Sequence, residues 1–90
     1  PLYPGTERDW TVTMEEKVSV QHLLDFFHSQ STPHLQKVSL IDLYRSERLG
    51  AGKKNVTFRF LYRAPDRTLG SEEVDRDHLN LVNAAMHQIT

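Results

Sequence analysis

The chain has no cysteine. That removes disulfide frameworks and thiolate metal sites and fits a reducing compartment, so a cytoplasmic location is expected. No apolar run approaches the roughly 18 to 20 residues that a membrane-crossing helix needs, and no membrane role is expected. Initiator methionine is missing too. The sequence opens at Pro1 without a charged-then-apolar leader, which reads as a piece of a longer polypeptide. Metal ligands are not gathered either: His22, His28, His34, His78 and His87 include no pair four residues apart on one helix face. What remains is 90 residues, enough for one domain with one two-layer core and too few for a catalytic nucleotide-binding domain with a partner domain.

A formal net charge of −1 argues against a general polyanion binder, but the average hides segregation. Between residues 45 and 67 stand Arg45, Arg48, Lys53, Lys54, Arg59, Arg63 and Arg67 against only Glu47 and Asp66, a local excess of five positive charges. The remainder of the chain is correspondingly acidic. A basic strip of this kind is what phosphate contact requires, because each neutralised phosphate releases condensed counterions, while charges beyond a Debye length of about 8 to 10 Å are screened. The same strip is equally compatible with a solvated loop and strand edge.

Periodicity places the elements. Residues 8–14 alternate, with Trp10, Val12 and Met14 on one side, as in a half-buried strand. Ser19 is placed to cap a helix with apolar positions Val20, Leu23, Leu24 and Phe27, ending near Gln30 ahead of the breaker Ser31-Thr32-Pro33. A second strand is expected over Leu35 to Tyr44 and a turn at Gly50 and Gly52. Asn55 to Arg63 alternates cleanly, with Val56, Phe58, Phe60 and Tyr62 facing a core. A second helix opens at Gly70 or Ser71 and carries Val74, His78, Leu81, Val82, Ala85 and Ile89 as one stripe. The expected architecture is an α+β, ferredoxin-like (RRM-like) two-layer sandwich, with two helices on one face of an antiparallel sheet and the other face open. Such a fold wants a fourth strand after the second helix; here it is short or missing, which leaves the edge of the first strand unpaired.

The second strand has a parity conflict, since Val38, Leu40, Asp42 and Tyr44 share one side and Ser39, Ile41 and Leu43 the other. Burying Asp42 without a partner would cost several kcal/mol, on the order of the penalty for a desolvated charge, so Ile41 and Leu43 are expected inside and Leu40, Asp42 and Tyr44 outside. A bulge near Lys37 is then needed if Val38 is also in the core.

A series of short motifs runs in fixed order through the chain: Asp42-Leu43-Tyr44-Arg45, Gly52-Lys53-Lys54-Asn55-Val56-Thr57-Phe58-Arg59, Pro65-Asp66-Arg67-Thr68-Leu69 and Glu72-Glu73-Val74. The series resembles the ferredoxin-fold anticodon-binding domain that closes the β chain of bacterial-type phenylalanyl-tRNA synthetase. Tyr3-Pro4-Gly5-Thr6-Glu7-Arg8-Asp9 is similar to that family's aromatic-Pro opening and Arg-Asp pair, with Glu7 where a second Arg is common. The resemblance implies a noncatalytic RNA-binding module that takes the anticodon stem-loop of tRNA(Phe), with no cofactor of its own. It also implies a parent enzyme of α2β2 form, using ATP and magnesium in other domains. Family members run on past a glycine into a short final strand.

The resemblance assigns Asp42, Tyr44 and Asn55 to the guanine at the first anticodon position. Chemistry agrees: guanine offers N1-H and an exocyclic amine on one edge, which an ionised carboxylate accepts together, while an aromatic ring stacks on the base. Arg45, Lys53 and Lys54 flank the turn and are expected to contact phosphates without reading sequence. Arg59 and Arg63 either stack on a base or reach phosphate, or else pair across strands with Asp9 or another acid. Asp66, Arg67 and Thr68 are expected to fix a turn and helix entry.

Two other classes stay open on fold alone: a ferredoxin-like small-molecule regulatory or dimerisation domain, and a small acylphosphatase-like enzyme. The second would need a preorganised phosphate cradle, of which Asn55 to Arg59 is only a loose echo. Gly50-Ala51-Gly52-Lys53 joins two strands and lacks the spacing of a nucleotide-binding loop.

Overall fold

Alternation builds the sheet. In the computed structural model, which describes residues 3–90, Val56, Phe58, Phe60 and Tyr62 lie on one side of β3 (Lys53–Tyr62) and are fully buried. β1 (Thr6–Glu15) and β2 (Leu35–Tyr44) flank β3 antiparallel, giving the order β1-β3-β2. β1 buries Val12 and Met14 and half-buries Trp10 on the same side. The helices α1 (Val20–Ser29) and α2 (Ser71–Ile89) cover this side, α1 over β2 and α2 over β1. The order strand, helix, strand, strand, helix is the one the periodicity predicts. Among the described residues no strand pairs with the outer edge of β1.

Aromatic rings fill the interface between helix and sheet. Phe27 meets Phe60 and Phe58 edge-on at centroid distances of 4.9 and 5.4 Å, and Trp10 stacks on Phe58 at 6.1 Å. These tilted and offset geometries suit the ring quadrupoles and add to the area buried. Leu23, Val74, Leu81 and Ala85 close the same cluster. The buried Tyr62 hydroxyl is satisfied by His78 Nδ1 at 2.8 Å, and burial pushes the phenol up and the imidazole down from their usual pKa values.

Both helices start where local chemistry tells them to. Ser19 Oγ accepts from the His22 amide at 3.1 Å, a cap worth about 1 kcal/mol. At α2 the Glu73 carboxylate accepts the Gly70 amide at 3.1 Å and is gripped by both terminal nitrogens of Arg67, so Asp66 to Gly70 enters the helix in one fixed way. Between α1 and β2 the chain turns at His34, whose φ of 62° is left-handed, and the His34 carbonyl accepts the Arg63 amide at 2.9 Å.

β2 settles its parity conflict with the expected bulge beside Lys37, which brings Val38 into the core, and with a second bulge that was not expected. The register slips at two places, between Leu35 and Lys37 and between Leu40 and Asp42. Val38 stands opposite Phe60, Leu40 opposite Phe58 and Leu43 opposite Val56, so all three lie on the helix side, while Asp42 faces Thr57 and Tyr44 faces Asn55 on the open side. Ile41 is the extra residue of the second bulge and is turned out to solvent at the sheet edge. The expectations that Ile41 is inside and Leu40 on the open face are therefore corrected. A bulge costs less than burying the Asp42 carboxylate, and the two bulges bring Val38 and Leu43 to the core while Leu40, on the same side, stays 42% exposed at the sheet edge.

Candidate nucleic-acid interface

The open face is a set of cross-strand rows. From one end to the other these are Glu7–Leu61–Lys37, Asp9–Arg59–Ser39, Thr11–Thr57–Asp42 and Thr13–Asn55–Tyr44, with Glu15 beside Lys53 at the limit. Residues directly opposite on one face are near enough to interact, and along β1 and β3 they do. Arg59 reaches both carboxylate oxygens of Asp9, at 2.9 and 3.1 Å. Thr11 and Thr57 hydroxyls bond at 2.8 Å, and Thr13 Oγ1 donates to Asn55 Oδ1 at 2.9 Å. The Arg59 hydrogen bonds and charge hold the Asp9 carboxyl below its usual range.

β2 is different. Asp42 and Tyr44 are exposed, and neither side chain makes a hydrogen bond or ion pair with any other described residue. Opposite them on β3, the Thr57 hydroxyl bonds Thr11 and the Asn55 carbonyl oxygen accepts from Thr13, while neither is within hydrogen-bond reach of Asp42 or Tyr44. An acceptor-only carboxylate, a bare phenol ring and the amide nitrogen of Asn55 thus share one patch of open sheet. Acceptor, stacking plane and donor side by side are the elements of base recognition.

The rim beyond this patch is organised around Glu16. Arg45 grips both oxygens of its carboxylate, and the Lys54 ammonium donates to the Glu16 carbonyl at 2.9 Å and lies 3.5 Å from the carboxylate. The Arg45 hydrogen bonds first, then the neighbouring charges, hold the Glu16 pKa down to about 2. Lys54 is buried because it continues the helix-facing side of β3 next to Met14. A helix of ten residues spans about 15 Å, whereas a strand of ten spans about 33 Å, so α1 leaves this end of the sheet to other cover. The aliphatic stem of Lys54 and the turn at Glu16 supply it. Gly50 and Gly52, at φ values of 99° and 71°, make the tight return into β3, and Arg45, Gly50 and Lys53 line a shallow groove with Glu16. The Lys53 ammonium is half-exposed and 4.0 Å from Glu15.

Of the residues singled out in the sequence, Asp42, Tyr44, Arg45, Lys53 and Asn55 come together at this end, with Lys54 beneath them. Arg59 lies four residues along β3 from Asn55, about 13 Å, and is paired with Asp9. Arg63 lies eight residues along, about 26 Å, half-buried at the opposite end, where its Nε has no partner among the described residues. Sequence reading passed over Glu16, Thr11 and Thr13. Glu16 carries no motif, and the two threonines show only as the outward side of the first strand. Among the described residues no group of three or more acidic or histidine side chains is placed to hold a metal, and no helix is long and apolar enough to cross a membrane.

Comparison with known proteins bears on this face. Residues 1–90 match the family model described as the ferredoxin-fold anticodon binding domain. The phenylalanine–tRNA ligase beta subunit of Protochlamydia amoebophila is 41% identical over 83 residues, 92% of this chain. Beta subunits of the same ligase from Halalkalibacterium halodurans and Geobacillus kaustophilus are 36% and 34% identical over 87% and 98% of the chain. In each case the chain spans about a tenth of the relative's length.

Proposed function

The chain belongs to the family of ferredoxin-fold anticodon-binding domains, and from that membership we propose that its open sheet face takes the anticodon loop of tRNA(Phe) and reads the first anticodon base as guanine. Tyr44 stacks on the base, Asp42 accepts from N1-H and the exocyclic amine, and the Asn55 amide nitrogen donates to O6. Lys53 contacts phosphate. Arg45 and Lys54 shape the rim through Glu16, and Arg59 and Arg63 extend the positive strip along β3 toward more distant phosphates. One observation carries the reading. Asp42 and Tyr44 are exposed and uncommitted beside the Asn55 amide, on a face whose other polar groups along β1 and β3 are largely paired.

Residues 1–90 are, in this proposal, one noncatalytic domain of a longer β chain of phenylalanine–tRNA ligase, acting in the cytoplasm with an α chain in an α2β2 assembly. The domain positions tRNA, and the ATP and magnesium of aminoacylation bind in other parts of the enzyme. The test is a titration of the chain, at two salt concentrations, with the anticodon stem-loop of tRNA(Phe) and with the same hairpin lacking the first anticodon guanine. Binding that weakens with salt and falls on losing the guanine is expected. Equal affinity for both hairpins refutes the guanine pocket, and absence of binding at low salt refutes RNA recognition by this chain.

A further inference from the structure

A phosphate gains most from a cation that no internal carboxylate already holds, since it then has no ion pair to displace. Eight of the eleven lysines and arginines lie within 4.0 Å of a carboxylate, and among the described residues only Lys37, Arg48 and Arg63 do not. Arg48 belongs to the turn ahead of β3. Lys37 and Arg63 stand together at the opposite end of the open face, beside Leu61. The bulge at the start of β2 is what brings Lys37 there. Leu35 stands opposite Tyr62, so an unbroken register would set Lys37 opposite Phe60 on the helix side; the slip at Gln36 sets it opposite Leu61 instead, exposed on the open face. Arg63 is held against the same leucine. A Cβ at Gly5 would lie 2.5 Å from Leu61 Cδ1 and 3.3 Å from Arg63 Nη2, so the missing side chain makes the room in which the guanidinium sits.

Two carboxylates share this end of the face, and neither blocks Lys37. Asp9 is taken by Arg59, and Glu7 lies on β1 on the far side of Leu61, about 10 Å from Lys37 across two strand spacings. Along β2 between Asp42 and Lys37, the one residue on the open face is Ser39, which carries no charge. An anion that follows β2 away from the proposed base pocket therefore meets a free ammonium with no carboxylate on the way.

We infer that Lys37, with Arg63 beside it, is a second anchor for the RNA: a phosphate subsite about 20 Å along the sheet from the row of Tyr44 and Asn55. The inference rests on the RNA reading above and adds a direction to it, since the strand that leaves the base pocket crosses Ser39 and runs toward the start of β2. Six residues along β3 separate the two rows, so the phosphate belongs to a nucleotide beyond the immediate neighbour of the guanine. Single strands bound on sheet platforms span about 4 nucleotides or more, enough to cover that distance. Lys37 meets a phosphate and no base edge. It therefore contributes affinity and salt dependence without sequence preference.

The experiment titrates the chain, Lys37→Gln and Arg76→Gln over a range of salt with the anticodon hairpin and with its counterpart lacking the first anticodon guanine, thermal unfolding of each variant being recorded alongside. Arg76→Gln removes the same charge from α2, on the helix side of the sheet, and so controls for the field of the whole domain. Lys37→Gln should weaken both hairpins alike, about 1.5- to 5-fold, and lower the slope of log affinity against log salt by about 0.7, while Arg76→Gln keeps the wild-type slope. Hairpins with one phosphate at a time replaced by methylphosphonate locate the partner. At one position, two or more nucleotides from the guanine, the neutral phosphate should weaken binding by the wild-type chain and cost Lys37→Gln nothing further. A slope in Lys37→Gln equal to that in Arg76→Gln, methylphosphonate losses that add to it at every position, or a loss confined to the guanine hairpin overturns the phosphate subsite and leaves the base pocket standing. A wild-type chain that binds neither hairpin overturns the RNA reading itself, and the inference with it.

Discussion

Replacing Asp42 by Asn tests the proposed pocket at its least entangled residue. The side chain is exposed and makes no hydrogen bond or ion pair within the described structure, so the substitution should change stability by no more than about 0.5 kcal/mol and the thermal midpoint by no more than about 4 °C. Binding should change far more. A paired set of hydrogen bonds to a base edge contributes about 1 to 3 kcal/mol of discrimination, so affinity for the guanine hairpin should fall about 5- to 150-fold. A hairpin with adenine in that place, which offers no such pair of donors, should behave in the opposite direction. Removing a negative charge about 8 Å from a phosphate relieves only about 0.2 to 0.5 kcal/mol after screening, so adenine binding should improve by about twofold at most. Fluorescence anisotropy with labelled hairpins, at two salt concentrations, measures both affinities. Equal losses on the two hairpins would refute base readout by Asp42 and leave it a general contributor to the surface.

Other residues make separable predictions. Phe27→Ala removes the ring that touches Phe58 and Phe60 and should destabilise the chain by about 3 to 5 kcal/mol, read from the urea midpoint; a loss below about 1 kcal/mol would contradict the packing described. Glu16 and Glu73 are held at pKa values of about 2 against 4.5 when free, chiefly by hydrogen bonds from Arg45 and Arg67. Folded-state values that are depressed stabilise the fold above pH 4.5, and that stabilisation is lost as pH falls from 4.5 through about 2. Glu73→Gln should therefore lower the thermal midpoint at pH 6 and flatten its fall toward pH 2.5, and a fall as steep as wild type would count against the Arg67 pairing. Asp9→Asn frees the Arg59 guanidinium, which should strengthen RNA binding and steepen the plot of log affinity against log salt by about 0.7, as one more phosphate contact on a single strand would. An unchanged slope would show that Arg59 does not reach RNA.

The fold was legible because its strongest strand is its clearest pattern. Val56, Phe58, Phe60 and Tyr62 alternate without interruption, and all four are fully buried. The caps were legible for the same local reason, with Ser19 opening α1 as its position before an apolar stripe suggested. β2 was legible only in part: the bulge beside Lys37 that brings Val38 into the core was expected, but the second, at Ile41, was not, and with Ile41 counted as paired Leu40 and Leu43 cannot face the same side, yet they do. The site was half legible. Asp42, Tyr44 and Asn55 fall on one face through register alone. Lys54 could not be recognised as buried, because sequence does not show that a ten-residue helix stops short of that end of the sheet. Nor could the pairings of Glu16 and Thr13, whose partners lie 29 and 42 residues away.

The ion pairs change what the positive strip can do. Arg45 and Lys54 share Glu16, Arg59 holds Asp9, Arg67 holds Glu73 and Lys53 lies near Glu15. A phosphate that approaches any of these cations must displace or share an internal carboxylate, so the net electrostatic gain per contact is smaller than a count of Lys and Arg implies. A chain built this way should hold nonspecific RNA weakly, in keeping with its net charge of −1. In the proposed reading discrimination comes from the uncommitted groups nearest the turn, Asp42, the Tyr44 ring and the Asn55 amide nitrogen, with Lys37 and Ser39 farther along the same face. Those three lie together beside the cross-strand bonds that pair much of β1 with β3. In the proposed arrangement the acidic partners, like the threonines of β1, work for selectivity by removing competing interactions from the face that is proposed to read the base.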